Sequence, residues 1–505
     1  MVRSALLGFA TVGVLLIRGF GCAPDTPRIA DPTREAPPSP RTPAATSPPA
    51  PGGTNPVPGA AGCGLASAAF CDTFSGISRG VRSGDLDQTR WSVNRTVAAS
   101  SNADLAPFPS TPVSACKSGV SSVTADNDVL VCDAASGHHG QLLTAMSAQN
   151  YALLSMRPRQ PFDFAGRVGT IAYNVDAVTE GGLSWWTSTF VTDQPDVASS
   201  NAAQVLGLLP RNGVGVNFDN DCGAAGATKS GVGSVLVYNN YVETKIVNNA
   251  ASCFATQRGI LNHIEIRLSQ TNIAVWASDA GGANFRQIFA TPINLPFNRG
   301  YVHFQQAERA PAKYATEFGI NPGYANNYWS NLGFDGPVIA GESGYSVADA
   351  LTRNPSSGAV NLGYGILNTP QSMYACCNGA SQIPIASLTI PNVALAGITA
   401  ARLTFAVAYT YTGGLTPGNV SFRYRLNGSA WLVPSTLPDY TAQNACGECP
   451  GPTGGGGALY SFVVDKSLLV NGNNTLAFAV DNSMNGYPPI VDSIDLLTFT
   501  GYAPT

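Results

Sequence analysis

Hydrophobic and polar residues alternate with a period of two along much of this chain. In "NHIEIRLSQ", Ile264, Ile266 and Leu268 fall on one parity and His263, Glu265 and Arg267 on the other. In "GYVHFQQ", Val302 and Phe304 oppose Tyr301, His303 and Gln305, and "NIAVWAS" repeats the habit. "RVGTIAYNVDAV" sets Val168 against the parity of Ile171, Tyr173 and Val175, which a bulge would reconcile. Such runs, bounded by Gly, Pro and Asn, predict half-buried antiparallel strands. No long amphipathic helix is predicted. From residue 62 to 340 the pattern predicts a large antiparallel jelly roll or β-sandwich. After "NLGFDGPVIAG" a second set of strands runs through "ARLTFAVAYTYTG", "NVSFRYRLNGSAW" and "VDSIDLLTF". Its "RLNG" and "VNGNNT" both contain Asn-Gly, the strongest short hairpin signal, and the pattern predicts a smaller β-sandwich over 345–505. The fold class expected is therefore all-β.

The first 61 residues read differently. Arg3 precedes an apolar run from Ala5 to Ile17, the length of a signal segment and too short to span a bilayer. Gly19 and Gly21 lead to Cys22, as in a bacterial lipoprotein signal, where Cys22 would carry the lipid. Residues 1–22 are thus expected to direct export. Residues 23–61 are dominated by Pro, Ala, Thr, Ser and Gly, a composition that cannot bury enough apolar surface to order itself. This stretch is expected to be a disordered tether.

Cysteine usage fits export. Setting Cys22 aside leaves ten of 11, in local groups: Cys63 with Cys71, Cys116 with Cys132, Cys222 with Cys253, and Cys376 and Cys377 with Cys446 and Cys449. An even set in an exported chain reads as disulfides. A metal site on the last four is the competing reading, which adjacent cysteines suit poorly. Charged residues make up only 11% of the chain, and the formal net charge is −4. The 27 basic residues are scattered, so nucleic acid is not expected as a partner. A neutral polymer fits better.

The segment "FCDTFSGISRGVRSGDLDQTRWSVNR", with Asp72, Phe74, Leu86, Asp87 and Trp91, resembles the first strand of concanavalin A-like (LamG/glucanase-type) jelly rolls. "PFDFAGRVGTIAYNVDA", "HIEIRL…NIAVWASD" and "YWSNLGFDGP" resemble that family's central and closing strands. The C-terminal "VDKSLLVNGNNTLAFAVDN…VDSIDLLTF" resembles the last strands of jelly-roll carbohydrate-binding modules. The resemblance implies an extracellular polysaccharide or glycan as partner. It also implies one of three roles: a binding protein, a glycoside hydrolase or polysaccharide lyase, or a structural or adhesive surface protein. Fold alone does not choose among them.

Candidate chemistry is sparse. A retaining glycosidase needs two carboxyl groups about 5–5.5 Å apart, and the Glu-x-Asp-x-Glu of the glucanase branch is absent. His263, Glu265 and Arg267 offer a base, a carboxylate and a cation on one strand face. The plainer reading is a solvated face with a cross-strand ion pair. Tyr301 and His303 would serve as acid and base in a β-elimination, with Gln305 and Arg267 as ligand contacts, or else form a face that only hydrogen-bonds its ligand. Trp186, Asn327, Tyr328 and Trp329 are candidates for stacking and hydrogen bonding to sugar, although buried aromatics more often fill sandwich cores. Asp219 and Asp221 are candidate calcium ligands, since hard oxygen donors in a loop suit that ion, and a plain turn is the alternative. No Walker loop, Gly-x-Ser-x-Gly elbow or His-Glu-x-x-His is present.

Overall fold

The computed structural model describes residues 63–75, 86–87, 90–97, 128–132, 138–147, 152–176, 186–193, 210–219, 222, 229–240, 242–248, 253–257, 259–308, 324–339, 342–346, 385–408, 421–433, 457–481 and 490–500. Their regular elements are strands and two single-turn 3-10 helices. The strands of the larger sandwich are β1 (Ala68–Asp72), β2 (Trp91–Val97), β3 (Asp128–Val131), β4 (Leu142–Ser147), β5 (Ala152–Pro158), β6 (Phe162–Asp163), β7 (Gly169–Val175), β8 (Trp186–Thr192) and β9 (Gly213–Asp219). They continue with β10 (Lys229–Asn239), β11 (Val242–Val247), β12 (Phe254–Ala255), β13 (Asn262–Leu268), β14 (Asn272–Ala277), β15 (Arg286–Pro292), β16 (Arg299–Glu308) and β17 (Tyr324–Asp335). Seven more follow: β18 (Glu342–Ser346), β19 (Ile385–Val393), β20 (Ala400–Ala408), β21 (Ser421–Leu426), β22 (Gly457–Val464), β23 (Gly472–Asp481) and β24 (Ile490–Phe499).

Strands β1–β17 form two sheets. One runs β15-β14-β13-β7-β17-β4-β3 with β1 on β17, and the other runs β11-β10-β9-β8-β16-β5-β2 with β12 on β10 and β6 on β16. The alternation read from sequence decides which side chains meet between them. Ile264, Ile266 and Leu268 of β13, Ile171, Tyr173 and Val175 of β7, and Val302 and Phe304 of β16 lie in one buried core. Burying that apolar area stabilises the sandwich by roughly 25 cal/mol per Å². Val168 needs no bulge, because β7 begins at Gly169 and leaves Val168 outside the strand and 59% exposed. Polar bridges cross the core: the Thr144 hydroxyl donates to Gln306 Oε1 at 2.6 Å, the Trp329 indole N–H donates to Thr144 at 2.9 Å, and the Thr189 hydroxyl donates to the Tyr173 hydroxyl at 2.8 Å.

Disulfides join Cys63 to Cys71 and Cys222 to Cys253, and Cys132 is also bridged. Each restricts the unfolded chain. Cys22, Cys116, Cys376, Cys377, Cys446 and Cys449 lie outside the described residues.

Strands β18–β24 pair among themselves, in a four-stranded sheet β18-β24-β20-β22 and a three-stranded sheet β19-β23-β21. The Asn-Gly signal after β21 is a tight turn. Asn427 and Gly428 have φ of 49° and 74°, the left-handed pair that such a hairpin needs. The chain then folds back so that Tyr424 and Leu432 exchange backbone hydrogen bonds of 2.9 and 2.8 Å. All the described strands belong to one compact unit. Between the two sets of strands, Asp495 of β24 accepts from Arg157 at 2.7 Å and from Arg159 at 2.8 Å, with all three side chains buried. Among the described residues, no helix is long and apolar enough to cross a membrane.

Candidate functional site

The three residues singled out on β13 lie on the outward face of the eight-stranded sheet, because their parity is opposite to the core set. Strand β13 is flanked by β7 and β14, so this face has a neighbour on each side. Register places Asn174 of β7 opposite His263, and Ser330 of β17 opposite Asn174. A polar row results: the Asn174 amide donates to Ser330 at 3.2 Å, and His263 Nδ1 lies 2.8 Å from Asn174 Oδ1. His263 Nε2 faces Glu265 Oε1 at 3.5 Å, an approach longer than a good hydrogen bond. Arg267 donates to Glu265 Oε2 from Nε at 3.1 Å and from Nη2 at 2.8 Å. Its guanidinium then lies 4.3 Å over Trp276 of β14, whose ring also packs against Phe285 at 5.8 Å.

This geometry corrects the expectation of a solvated face. His263 is fully buried and Glu265 is 7% exposed, and the ion pair runs along β13 instead of across to a neighbour. The physical reason is that His263 is enclosed by Asn174, Ser278 and Phe285, which the sequence brings from three other segments. Burial works against the charge of Glu265. The contacts from His263 and Arg267, with the positive charge of Arg267, outweigh it and hold the carboxyl below its ordinary range. A carboxylate shifted in this direction lacks the raised pKa of a general acid and keeps the ionised form that a base or nucleophile uses.

Tyr301, His303 and Gln305 share the outward face of the nine-stranded sheet, as their parity requires, but that face is closed. They are 3%, 2% and 0% exposed. His303 contacts Ser155 Oγ at 3.3 Å through Nδ1 and Thr192 Oγ1 at 3.0 Å through Nε2. Gln305 accepts from Ser188 at 3.2 Å and donates to Ser155 at 3.4 Å. The ring of Tyr301 carries the Arg157 guanidinium at 5.0 Å. The neighbouring strands β5 and β8 complete this network, so it is satisfied from within and is not an open acid–base pair.

The aromatic candidates on β17 are core or near-core groups. Asn327, Tyr328 and Trp329 are 1%, 1% and 0% exposed. Trp329 packs on Tyr173 and Phe304, and Tyr328 stacks on His138 at 3.8 Å. None offers a sugar-stacking plane in this structure. Trp186 starts β8 with its side chain outside the description, Asp219 ends β9 likewise, and Asp221 lies outside the described residues. Among the described residues no group of three or more His, Cys, Asp or Glu is placed to hold a metal ion.

Sequence reasoning missed Asn174, Ser330, Trp276, Arg157 and Asp495. The parity of Asn174 within β7 was a usable signal, since it falls opposite to the core residues Tyr173 and Val175. Register across strands was not available from sequence.

These features define an antiparallel β-sandwich protein of jelly-roll type. No protein-family model matches the chain, and no curated protein matches it. Solved structures do. One is a Bacillus licheniformis β-glucanase, 11% identical, covering 54% of this chain and 100% of that one, with TM-score 0.30. A β-1,3-1,4-glucanase (lichenase) derived from a mouse hindgut metagenome is 10% identical, with 53% and 98% covered and TM-score 0.28. Lectin UEA-II complexed with galactose is 11% identical, with 42% and 88% covered and TM-score 0.25. Nothing about the chemistry of this chain follows from values this low.

Proposed function

We propose that this protein is an exported, surface-tethered carbohydrate-binding protein that holds an extracellular polysaccharide without cleaving it. The observation that carries the non-catalytic reading is the enclosure of both candidate sets. Glu265 is 7% exposed and takes two hydrogen bonds from Arg267, at 3.1 and 2.8 Å, so little of it is free to meet a glycosidic oxygen. The Tyr301–His303 pair that sequence suggested for elimination is buried, with His303 held by Ser155 and Thr192 and the ring of Tyr301 covered by Arg157. The signal-like residues 1–22, the Pro-rich residues 23–61 and the bridged cysteines support export.

The test pairs retention with turnover. Purified protein is run through gels containing neutral or uronate polysaccharides, while reducing ends and unsaturated-uronate absorbance are followed in solution. The expected result is retarded migration with no product. Product formation that disappears in Glu265→Gln or His303→Ala would overturn the proposal in favour of a hydrolase or lyase. No retardation by any glycan would leave a protein-binding adhesive role.

A further inference from the structure

The described arginines differ in whether a carboxylate meets them. Eight between Arg90 and Arg299 hold a carboxylate at 3.3 Å or closer. Arg423 and Arg425 do not. Both stand on β21, two residues apart, so their side chains leave the same face of the three-stranded sheet, about 7 Å apart along the strand. In register across β23 they meet Ala479 and Ala477, and beyond Ala477 lies Ser387 of β19; none of these bears a charge. Among the described residues neither guanidinium has a carboxylate partner. Arg423 is exposed. The guanidinium of Arg425 lies 4.7 Å over the ring of Trp431, which the Asn427-Gly428 turn returns to this face. A cation seated on an indole is restrained without being neutralised.

We infer that this face binds a polysaccharide bearing carboxylate groups, with Arg423 and Arg425 each taking a uronate and Trp431 holding Arg425 in place. The inference rests on the glycan-binding reading above and gives it a ligand class and a location. A guanidinium forks two parallel N–H bonds onto a carboxylate, which a neutral sugar cannot match. Cations that served only to keep other chains off the sheet would have no effect on glycan affinity.

The experiment uses the full chain, with titration calorimetry against polygalacturonate, its methyl ester and dextran at low and high salt. The expected result is binding to polygalacturonate that weakens with salt, and none to the ester. The double variant Arg423→Gln/Arg425→Gln is expected to bind roughly tenfold more weakly or worse, at an unchanged thermal midpoint. The double Lys variant should fall between, keeping charge but losing the fork. Equal binding by the double Gln variant, or wild-type binding to dextran or the ester alone, overturns this inference and leaves glycan binding standing. No binding to any of the three overturns both.

Discussion

Glu265 shows how much a single residue owes to its surroundings. Its strand supplies Arg267 two residues on and His263 two residues back, and the neighbouring strand supplies Trp276, which seats the arginine. Because its folded pKa is lowered, Glu265 contributes stability that is present above its unfolded value near 4.3 and lost as pH falls through the folded value. Thermal midpoints followed by circular dichroism should therefore drop on acidification below about pH 4.3, and part of that drop should be missing in Glu265→Gln. The aromatic residues of β17 behave differently. Trp329→Ala removes a fully buried indole and its bond to Thr144, and should cost about 3–5 kcal/mol by urea denaturation. A large loss of stability would mark Trp329 as core. Loss of binding at unchanged stability would restore it as a ligand group. Here the sequence named the right residue types but not their exposure. Alternation tells which side of a strand a residue takes, and what lies on that side is decided by other strands.

At the scale of elements, local chemistry was a good guide. The outward–inward split of β7, β13 and β16 is what their alternation requires, and the hairpin after β21 is what Asn-Gly requires. A Cβ added at Gly428 would meet no atom within 4 Å, so the glycine is there for its positive φ and not for space. Gly428→Val should lower stability by about 1–3 kcal/mol, and Gly428→Asn by much less, since Asn tolerates this conformation. Equal losses in chemical denaturation would point to packing instead of backbone. Less legible was strand order. Strand β17 pairs with β1, β4 and β7, and β16 with β5, β6 and β8. These partners are scattered from residue 68 to 192, and no short-range pattern encodes them.

Across the whole molecule, the buried triad of Arg157, Asp495 and Arg159 ties β5 to β24 over a sequence separation of 338 and 336 residues. Gly344 of β18 admits the same contact, because a Cβ there would lie 2.4 Å from Arg159 Nη1. Asp495→Ala strips both guanidiniums of this carboxylate and should destabilise the chain by about 3–5 kcal/mol. Replacing all three with Met, Met and Leu should recover much of that. Calorimetry checks both, and a normal melt for Asp495→Ala would show that the triad does not hold the strand sets together. Sequence by itself determined the all-β class, the faces of the strands, the turn chemistry and two local disulfides, because each depends on residues near one another along the chain. Tertiary structure alone decided that Tyr301, His303 and Gln305 are enclosed, that Glu265 is engaged by Arg267 beside a buried His263, and that Asp495 is matched to two distant arginines. Those outcomes arise from desolvation and register, which exist only once separate strands have met.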